Sequence, residues 1–206
     1  MQDEVLDLTV VVPAYNPDEK LQMVVKRLKE RGFHDIIVVN DGSDEEHMKP
    51  FLTVEGDATV IHFRKNKGKG IAIKTAFAFC RDNRTKSKGV MIVEWDNAYH
   101  PDDVYACGKA LFEHRGHLIL GCRNYKGEGI SLRNKLLNGI KKGIFRLFCG
   151  LKVSDTQAGV RAFEMSQLAQ IMEIKGEREE FETNMLINAK NLELPIIEVP
   201  IRTLSA

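Results

Sequence analysis

Short apolar runs rich in valine and isoleucine alternate with amphipathic segments through residues 8–122. The runs predict strands at 8–13, 35–40, 58–63, 88–95 and 117–122. Helical spacing of apolar residues, with start and stop signals, predicts helices at 18–31, 68–81 and 102–114 and a short helix after residue 43. Strands that alternate with helices form a mainly parallel sheet covered by helices on both faces, so the expected fold class is α/β.

The segment 123–152 is strongly basic, with eight Lys or Arg residues and one acidic residue. Its large apolar residues recur at helical spacing, which predicts a basic amphipathic helix. Such a helix either lies on anionic lipid with its apolar side inward or packs on the sheet with its lysines in solvent, and the sequence leaves both open. Beyond it, helices are predicted within 167–192 and a strand at 196–203.

Bulk composition indicates one folded domain over the 206 residues. The formal net charge of +1 provides no global attraction to nucleic acid, so no nucleic-acid partner is expected. The four cysteines stand far apart with no Cys-x-x-Cys pair, which favours buried thiols in a reducing compartment. The N-terminus has no signal-peptide core, and no apolar run approaches the ~20 residues of a spanning helix, so a cytoplasmic location is expected.

Polar residues follow the first two predicted strands, at the edge of a parallel sheet where ligands bind. Pro13 and Tyr15 follow the first strand, and Asp41 follows the second. The Asp41 carboxylate could accept hydrogen bonds from a base or a ribose. The alternative interpretation is a strand terminator and a capped turn, but two such strand ends side by side favour a nucleotide pocket.

The segment 66–70 (Asn-Lys-Gly-Lys-Gly) resembles a phosphate-cradling loop that opens a helix. It lacks the spacing of a Walker loop or of Gly-x-Gly-x-x-Gly. Lys69 is therefore either a phosphate ligand or a solvated surface charge.

Glu94 and Asp96 are two carboxylates two residues apart at the end of a hydrophobic strand, with Trp95 between them. Oxygen ligands in this arrangement can share a hard divalent cation that bridges a diphosphate. The alternative is a helix cap or a solvated pair. Burial of an unpaired Glu94 would be costly, so a metal or another cationic partner is favoured.

Asp155 follows the basic segment and precedes the flexible Gly159. An acid in this place is either a general base, an anchor of an acceptor site or a simple helix cap.

Together these motifs resemble glycosyltransferase family 2 with its GT-A fold, in the branch that acts on dolichyl or polyprenyl phosphates. The most distinctive blocks are 121–123 (Gly-Cys-Arg) and 154–163 (Ser-Asp-Thr-Gln-Ala-Gly-Val-Arg-Ala-Phe). The resemblance implies metal-dependent, inverting transfer of a hexose from a UDP- or GDP-linked sugar to a polyprenyl phosphate, with peripheral contact at the cytosolic face of a membrane. It also implies one catalytic domain, with a nucleotide-binding half at 1–100 and an acceptor half at 101–206. A membrane-anchoring C-terminal region, common in relatives, is expected to be absent.

On the donor side, the resemblance assigns the nucleotide to Pro13, Tyr15 and Asp41 and places Lys69 near its phosphates. The remaining assignments are Mg²⁺ or Mn²⁺ on Glu94 and Asp96, the acceptor phosphate on Arg123 and Arg133, and a catalytic or orienting acid at Asp155. A bidentate arginine fork suits a phosphate. Because a phosphate acceptor is already ionised at neutral pH, the acid need not abstract a proton.

The metal motif departs from the family pattern of Asp-x-Asp followed by a short loop and Gln-His. Alignment on the strand puts Glu94 and Asp96 in the metal positions, whereas alignment on His100 puts Trp95 and Asn97 there. The first is favoured because Glu ligates the same cations as Asp. Two other functions stay open: a soluble saccharide or protein acceptor, and a non-catalytic nucleotide-sugar-binding relative with a degenerate metal motif.

Overall fold

A computed structural model describes residues 4–96, 99–123, 153–156 and 158–202. Its centre is a seven-stranded sheet in the order β3-β2-β1-β4-β6-β5-β7. The strands are β1 Thr9–Ala14, β2 Ile36–Asn40, β3 Thr59–His62, β4 Gly89–Val93, β5 Leu118–Arg123, β6 Val160–Glu164 and β7 Ile196–Ile201. Six of these follow the predicted runs to within two residues, so the mainly parallel α/β sheet is confirmed.

Strand β6 was missed by the sequence analysis. It runs antiparallel between β4 and β5, while the other neighbouring pairs in the described sheet are parallel. Arg161 lies in the middle of this strand and is only 1% exposed. A charged residue inside a five-residue run hides the strand pattern, because buried arginines are rare unless they are paired.

Helices cover both faces of the sheet, as predicted. The described helices are α1 Lys20–Arg31, α2 Met48–Val54, α3 Lys69–Asn83, α4 Pro101–Glu113, α5 Leu168–Met172 and α6 Glu180–Asn188. Val10 and Val12 of β1 point to the core formed with α1, α2 and α4, and Val11 points to the core formed with α3, α5 and α6. Burial on both faces explains why the strands read as continuous apolar runs.

Several predictions fall outside the described residues. They are the helix in the basic segment after Arg123, the side chain of Arg133 and the thiol of Cys149. The three cysteines that are described, Cys80, Cys107 and Cys122, are buried free thiols, as expected. Across the described ranges, no helix has both the length and the apolar character needed to cross a membrane.

The sheet sets the position of the candidate site. β1, β2, β4 and β5 run in the same direction, so the residues that follow them meet at one edge. Because β6 is antiparallel, the residues that precede it, including Asp155 and Gly159, reach this same edge. The fold therefore gathers both groups of predicted site residues.

Candidate active site

The carboxyl-terminal edge of the sheet holds a cavity of about 340 Å³. It is lined by Pro13, Ala14, Tyr15, Asp41, Lys69, Glu94, Trp95, Asp96 and Glu179. All six residues assigned to the nucleotide, its phosphates and the metal thus line one cavity. The structure thus brings them together, and their roles stay predictions.

The loops after β1 and β2 are tied to each other beside Tyr15. The Asn16 backbone N–H donates to Ser43 Oγ at 2.9 Å, its side-chain amide donates to Asp44 Oδ2 at 2.8 Å, and the Asp44 N–H donates to Asn16 Oδ1 at 2.9 Å. Asn16 adopts φ of 47°, a conformation that asparagine tolerates better than most residues. The tie fixes the backbone next to Tyr15, a residue that is 45% exposed and lines the cavity.

The Asp41 carboxylate is buried and organises the neighbouring loop. It accepts hydrogen bonds from the backbone N–H groups of Lys67, at 2.8 Å, and Gly68, at 2.9 Å. Gly68 has φ of 103°, and a Cβ there would lie 2.5 Å from the Glu177 carbonyl oxygen. The glycine-rich segment therefore packs tightly and directs these two N–H groups to Asp41, so they do not form the phosphate cradle that its sequence suggested.

The Lys69 side chain, rather than the loop backbone, reaches the cavity. Its Nζ lies 2.5 Å from Glu182 Oε2, 3.0 Å from Glu94 Oε1 and 3.6 Å from Glu179 Oε2. Burial alone would lower the pKa of Lys69, but the charges of Glu182, Glu94 and Glu179 outweigh burial and raise it. Lys69 is therefore a fixed ammonium at neutral pH and not the solvated surface charge of the alternative interpretation.

Glu94 accepts hydrogen bonds from two sides. Lys69 donates to Oε1 at 3.0 Å and the buried Tyr99 hydroxyl donates to Oε2 at 2.9 Å. Burial would raise the pKa of Glu94, but the charge and hydrogen bond of Lys69, the Tyr99 hydroxyl and the charge of Arg123 together lower it. Glu94 is thus held as a carboxylate.

Gly159 connects this carboxylate to the acceptor-side motif. A Cβ at this position would lie 1.8 Å from Tyr99 Oη and 2.5 Å from Glu94 Oε2. Only glycine permits so close an approach of backbone to the Tyr99–Glu94 hydrogen bond. The motif that precedes β6 therefore packs directly on the cavity.

Arg123 and Asp155 form an ion pair next to this contact. Arg123 Nε donates to Asp155 Oδ2 at 2.9 Å, and Nη2 donates to Oδ1 at 3.3 Å. Asp155 is fully buried, whereas the Arg123 side chain keeps 22% of its surface exposed. The structure brings Arg123, one of the two arginines assigned to the acceptor phosphate, next to Asp155, the assigned acid. The other arginine, Arg133, lies outside the described residues.

The charges around the cavity suit a divalent cation. Among the described residues that line the cavity, four carboxylates (Asp41, Glu94, Asp96 and Glu179) face one ammonium, a formal net charge of −3. Among the described residues no preformed group of three His, Cys, Asp or Glu side chains could hold a metal. Mg²⁺ commonly binds through one or two carboxylates plus substrate phosphates, so the oxygen donors present fit a cation that arrives with a diphosphate.

Four residues that contribute to the site were given no role in advance. Tyr99 lies between Asp96 and His100, and a tyrosine beside two carboxylates could have suggested a hydrogen-bond donor. Glu179 and Glu182 carried no local signal, since both are polar positions in a predicted helical segment. Arg161 lies within the distinctive block 154–163, but the strand there was missed and no role was assigned to it. Their proximity depends on contacts between distant parts of the chain.

Comparisons with known proteins agree with this geometry. Glycosyl transferase family 2 matches residues 9–171. An uncharacterised protein from Methanocaldococcus jannaschii is 30% identical over 202 residues, which are 96% of this chain and 82% of that protein. UDP-N-acetylglucosamine–dolichyl-phosphate N-acetylglucosaminyltransferase from Methanococcus voltae is 27% identical over 221 residues, which are 99% of this chain and 87% of that protein.

A solved structure shows the same fold. Glucosyl-3-phosphoglycerate synthase from Mycobacterium tuberculosis, in complex with Mn²⁺, UDP and phosphoglyceric acid, superposes with a TM-score of 0.71 at 18% identity. The match covers 95% of this chain and 69% of that one. Sheet, cavity and family match therefore agree: the chain belongs to glycosyltransferase family 2 and is a glycosyltransferase with the GT-A fold.

Proposed function

We propose that this enzyme transfers a hexose from a nucleotide diphosphate sugar to a polyprenyl phosphate, with inversion and with a divalent metal. The main support is the contact of Gly159 with Glu94, which joins a cavity suited to a cation and a diphosphate to the Arg123–Asp155 pair. The name of the M. voltae relative, which specifies a UDP sugar and dolichyl phosphate, agrees with this choice.

The donor residues divide into those that hold the nucleotide and those that balance its charge. The exposed Tyr15 ring offers an apolar face to the base, and the buried Asp41 carboxylate offers an acceptor beneath it. Lys69 supplies a fixed positive charge to the diphosphate. Asp96 and Glu94 would hold Mg²⁺ or Mn²⁺. When bound, this cation would neutralise the charge that develops on the departing nucleoside diphosphate.

On the acceptor side, Arg123 would hold the phosphate and Asp155 would hold Arg123. Planar guanidinium groups suit phosphate oxygens, and the buried Asp155 fixes the orientation of the fork. A phosphate oxygen attacks the anomeric carbon as the bond to the diphosphate breaks. Because that oxygen is ionised at neutral pH, Asp155 acts by orientation and takes up no proton.

Membrane contact is the part of the proposal that depends on the basic segment after Arg123. Its lysines and apolar residues suit the cytosolic face of an anionic membrane, where a polyprenyl phosphate presents its headgroup. Salt-sensitive binding to anionic vesicles that is lost in the Lys141→Glu/Lys142→Glu variant would support this contact. Unchanged binding of that variant would contradict it.

A transfer assay tests the central proposal. UDP- and GDP-linked sugars are offered with Mg²⁺ or Mn²⁺ to a short-chain polyprenyl phosphate and, in parallel, to free sugars. The expected product is a polyprenyl-phosphate sugar of inverted anomeric configuration, with none formed in excess chelator. Transfer to free sugars alone would favour the soluble-acceptor hypothesis. Nucleotide binding without transfer to either acceptor would favour the non-catalytic one.

A further inference from the structure

Glu182 is a buried acid on α6 whose charge the proposed reaction does not yet use. Its side chain is 8% exposed, and Oε2 lies 2.5 Å from Lys69 Nζ. The other oxygen, Oε1, has no hydrogen-bond partner among the residues that the structure describes. A buried carboxylate with one unsatisfied oxygen weakens a fold, so its presence calls for an explanation.

Arg161 lies on the far side of Glu182 and completes a chain of alternating charges. Its Nε is 3.7 Å from Glu182 Oε1, and its Nη1 donates to the Glu182 backbone carbonyl at 2.6 Å. Nε also donates to the Ala158 carbonyl oxygen at 3.0 Å, one residue before Gly159. The guanidinium therefore fixes the Glu182 backbone and the acceptor-side motif in one place.

The three carboxylates that surround Lys69 differ in how firmly they are held. Glu179 is 78% exposed and 3.6 Å away, and Glu94 lies at the position assigned to the metal. Glu182 is the closest of the three and is confined between α3 and β6. An ammonium has three N–H donors, so Glu182 can hold one while others face the cavity.

Resting on the donor site proposed above, we propose that Glu182 is a positioning residue that holds the Lys69 ammonium at the diphosphate position of the donor cavity. A lysine side chain has many rotamers, and ordering it costs conformational entropy. If Lys69 is already fixed before the ligand arrives, this cost is not paid again on binding. If Glu94 turns toward a cation, Glu182 still holds Lys69. Glu182 therefore affects nucleotide binding only through Lys69, and only at the phosphates that Lys69 contacts.

The test measures nucleotide affinity through the fluorescence of Trp95, the single tryptophan, which lines the cavity. The ligands are whichever of UDP and GDP binds the wild type more tightly and the corresponding monophosphate, with Mg²⁺. Glu182→Gln should weaken the diphosphate about tenfold and the monophosphate by less than about threefold. In a Lys69→Met background the same change should have no further effect, because its target is gone.

Controls separate positioning from stability. Asp103→Asn breaks another carboxylate–arginine pair, with Arg202, away from the cavity. It should lower the melting temperature and leave both affinities unchanged. Glu182→Asp keeps the charge beside Arg161 but shortens the side chain. Its affinity for the diphosphate should therefore lie between those of the wild type and Glu182→Gln. It also provides the test if Glu182→Gln does not fold.

Three outcomes would overturn the inference: unchanged diphosphate affinity in the Glu182 variants, equal losses for both ligands, or equal losses with and without Lys69. In each of these the proposed donor site would survive, because the wild type still binds nucleotide. If the wild type binds neither UDP nor GDP, both the donor site and the role of Glu182 are wrong.

Discussion

Substituting Gly159 by alanine tests whether the motif that precedes β6 packs on the cavity. The new Cβ would lie 1.8 Å from Tyr99 Oη and 2.5 Å from Glu94 Oε2. Tyr99 is 5% exposed and has little room to turn, and Lys69 holds Glu94 from the other side. The methyl group must therefore displace the Tyr99–Glu94 hydrogen bond or the backbone before β6.

The expected loss of stability follows from these two contacts. Overpacking of a well-packed site costs about 1–3 kcal/mol, and loss of a hydrogen bond to a charged group costs about 1.5–3 kcal/mol. These two costs are not additive, because moving the Tyr99 hydroxyl both relieves the overpacking and breaks the hydrogen bond. We therefore expect a total loss of stability of about 2–4 kcal/mol. For a domain of this size each kcal/mol lowers the melting temperature by roughly 2–4 °C, which predicts a drop of about 5–15 °C.

Thermal unfolding followed by circular dichroism measures this drop. Gly56→Ala is the matched control, since a Cβ there meets nothing within 4 Å and its stability should change by no more than about 0.5 kcal/mol. Adding Tyr99→Phe to Gly159→Ala removes the nearest clashing atom and should recover part of the loss. The reasoning is refuted if Gly159→Ala melts within about 1 °C of the Gly56→Ala control.

Other predictions concern buried groups elsewhere in the structure. Arg161→Met leaves two carbonyl oxygens without their donor and removes one of the two cations beside Glu182. Urea unfolding should therefore show a loss of about 3–5 kcal/mol, and a loss below about 1 kcal/mol would contradict the buried pairing. Asp155→Asn should raise the KM for prenyl phosphate more than the KM for the sugar donor, because it releases Arg123; equal changes would count against an acceptor role. Burial raises the pKa of each described thiol from 9.0 to about 12. In a Cys149→Ala variant at pH 8, a thiol reagent should therefore modify only unfolded protein. The free energy of unfolding should decline above pH 9, because the thiols ionise there in the unfolded state and not in the native state.

The parts of the fold that depend on local pattern were predictable from sequence. β1, β2 and β4 are buried on both faces, so their apolar runs are unbroken and easily recognised. Tyr15, Asp41 and Glu94 follow these strands directly, and parallel strands bring such residues to one edge. The position of the cavity could thus be inferred from strand order alone.

The parts that depend on distant contacts were not predictable. The polar residue Arg161 is compatible with the interior of β6 only because Glu182 and two carbonyl oxygens meet it there. The surroundings of Lys69 also depend on distant contacts, because its carboxylate neighbours are Glu94, which follows β4, and Glu182 on α6. The glycines of 66–70 suggested a phosphate loop, but the short distance from Gly68 to Glu177 shows that they serve packing.

Trp95 illustrates how this chain accommodates its unusual metal motif. The indole is partly buried against the core formed with α1 and α4, yet it also lines the cavity between Glu94 and Asp96. A residue that packs in this way fixes the backbone between the two carboxylates. Both acids that the strand-based alignment assigns to the metal, Glu94 and Asp96, line the cavity, and their role as metal ligands stays a prediction. Glu94 accepts hydrogen bonds from Lys69 and Tyr99 and packs against Gly159, so it joins Lys69 to the motif that carries Asp155.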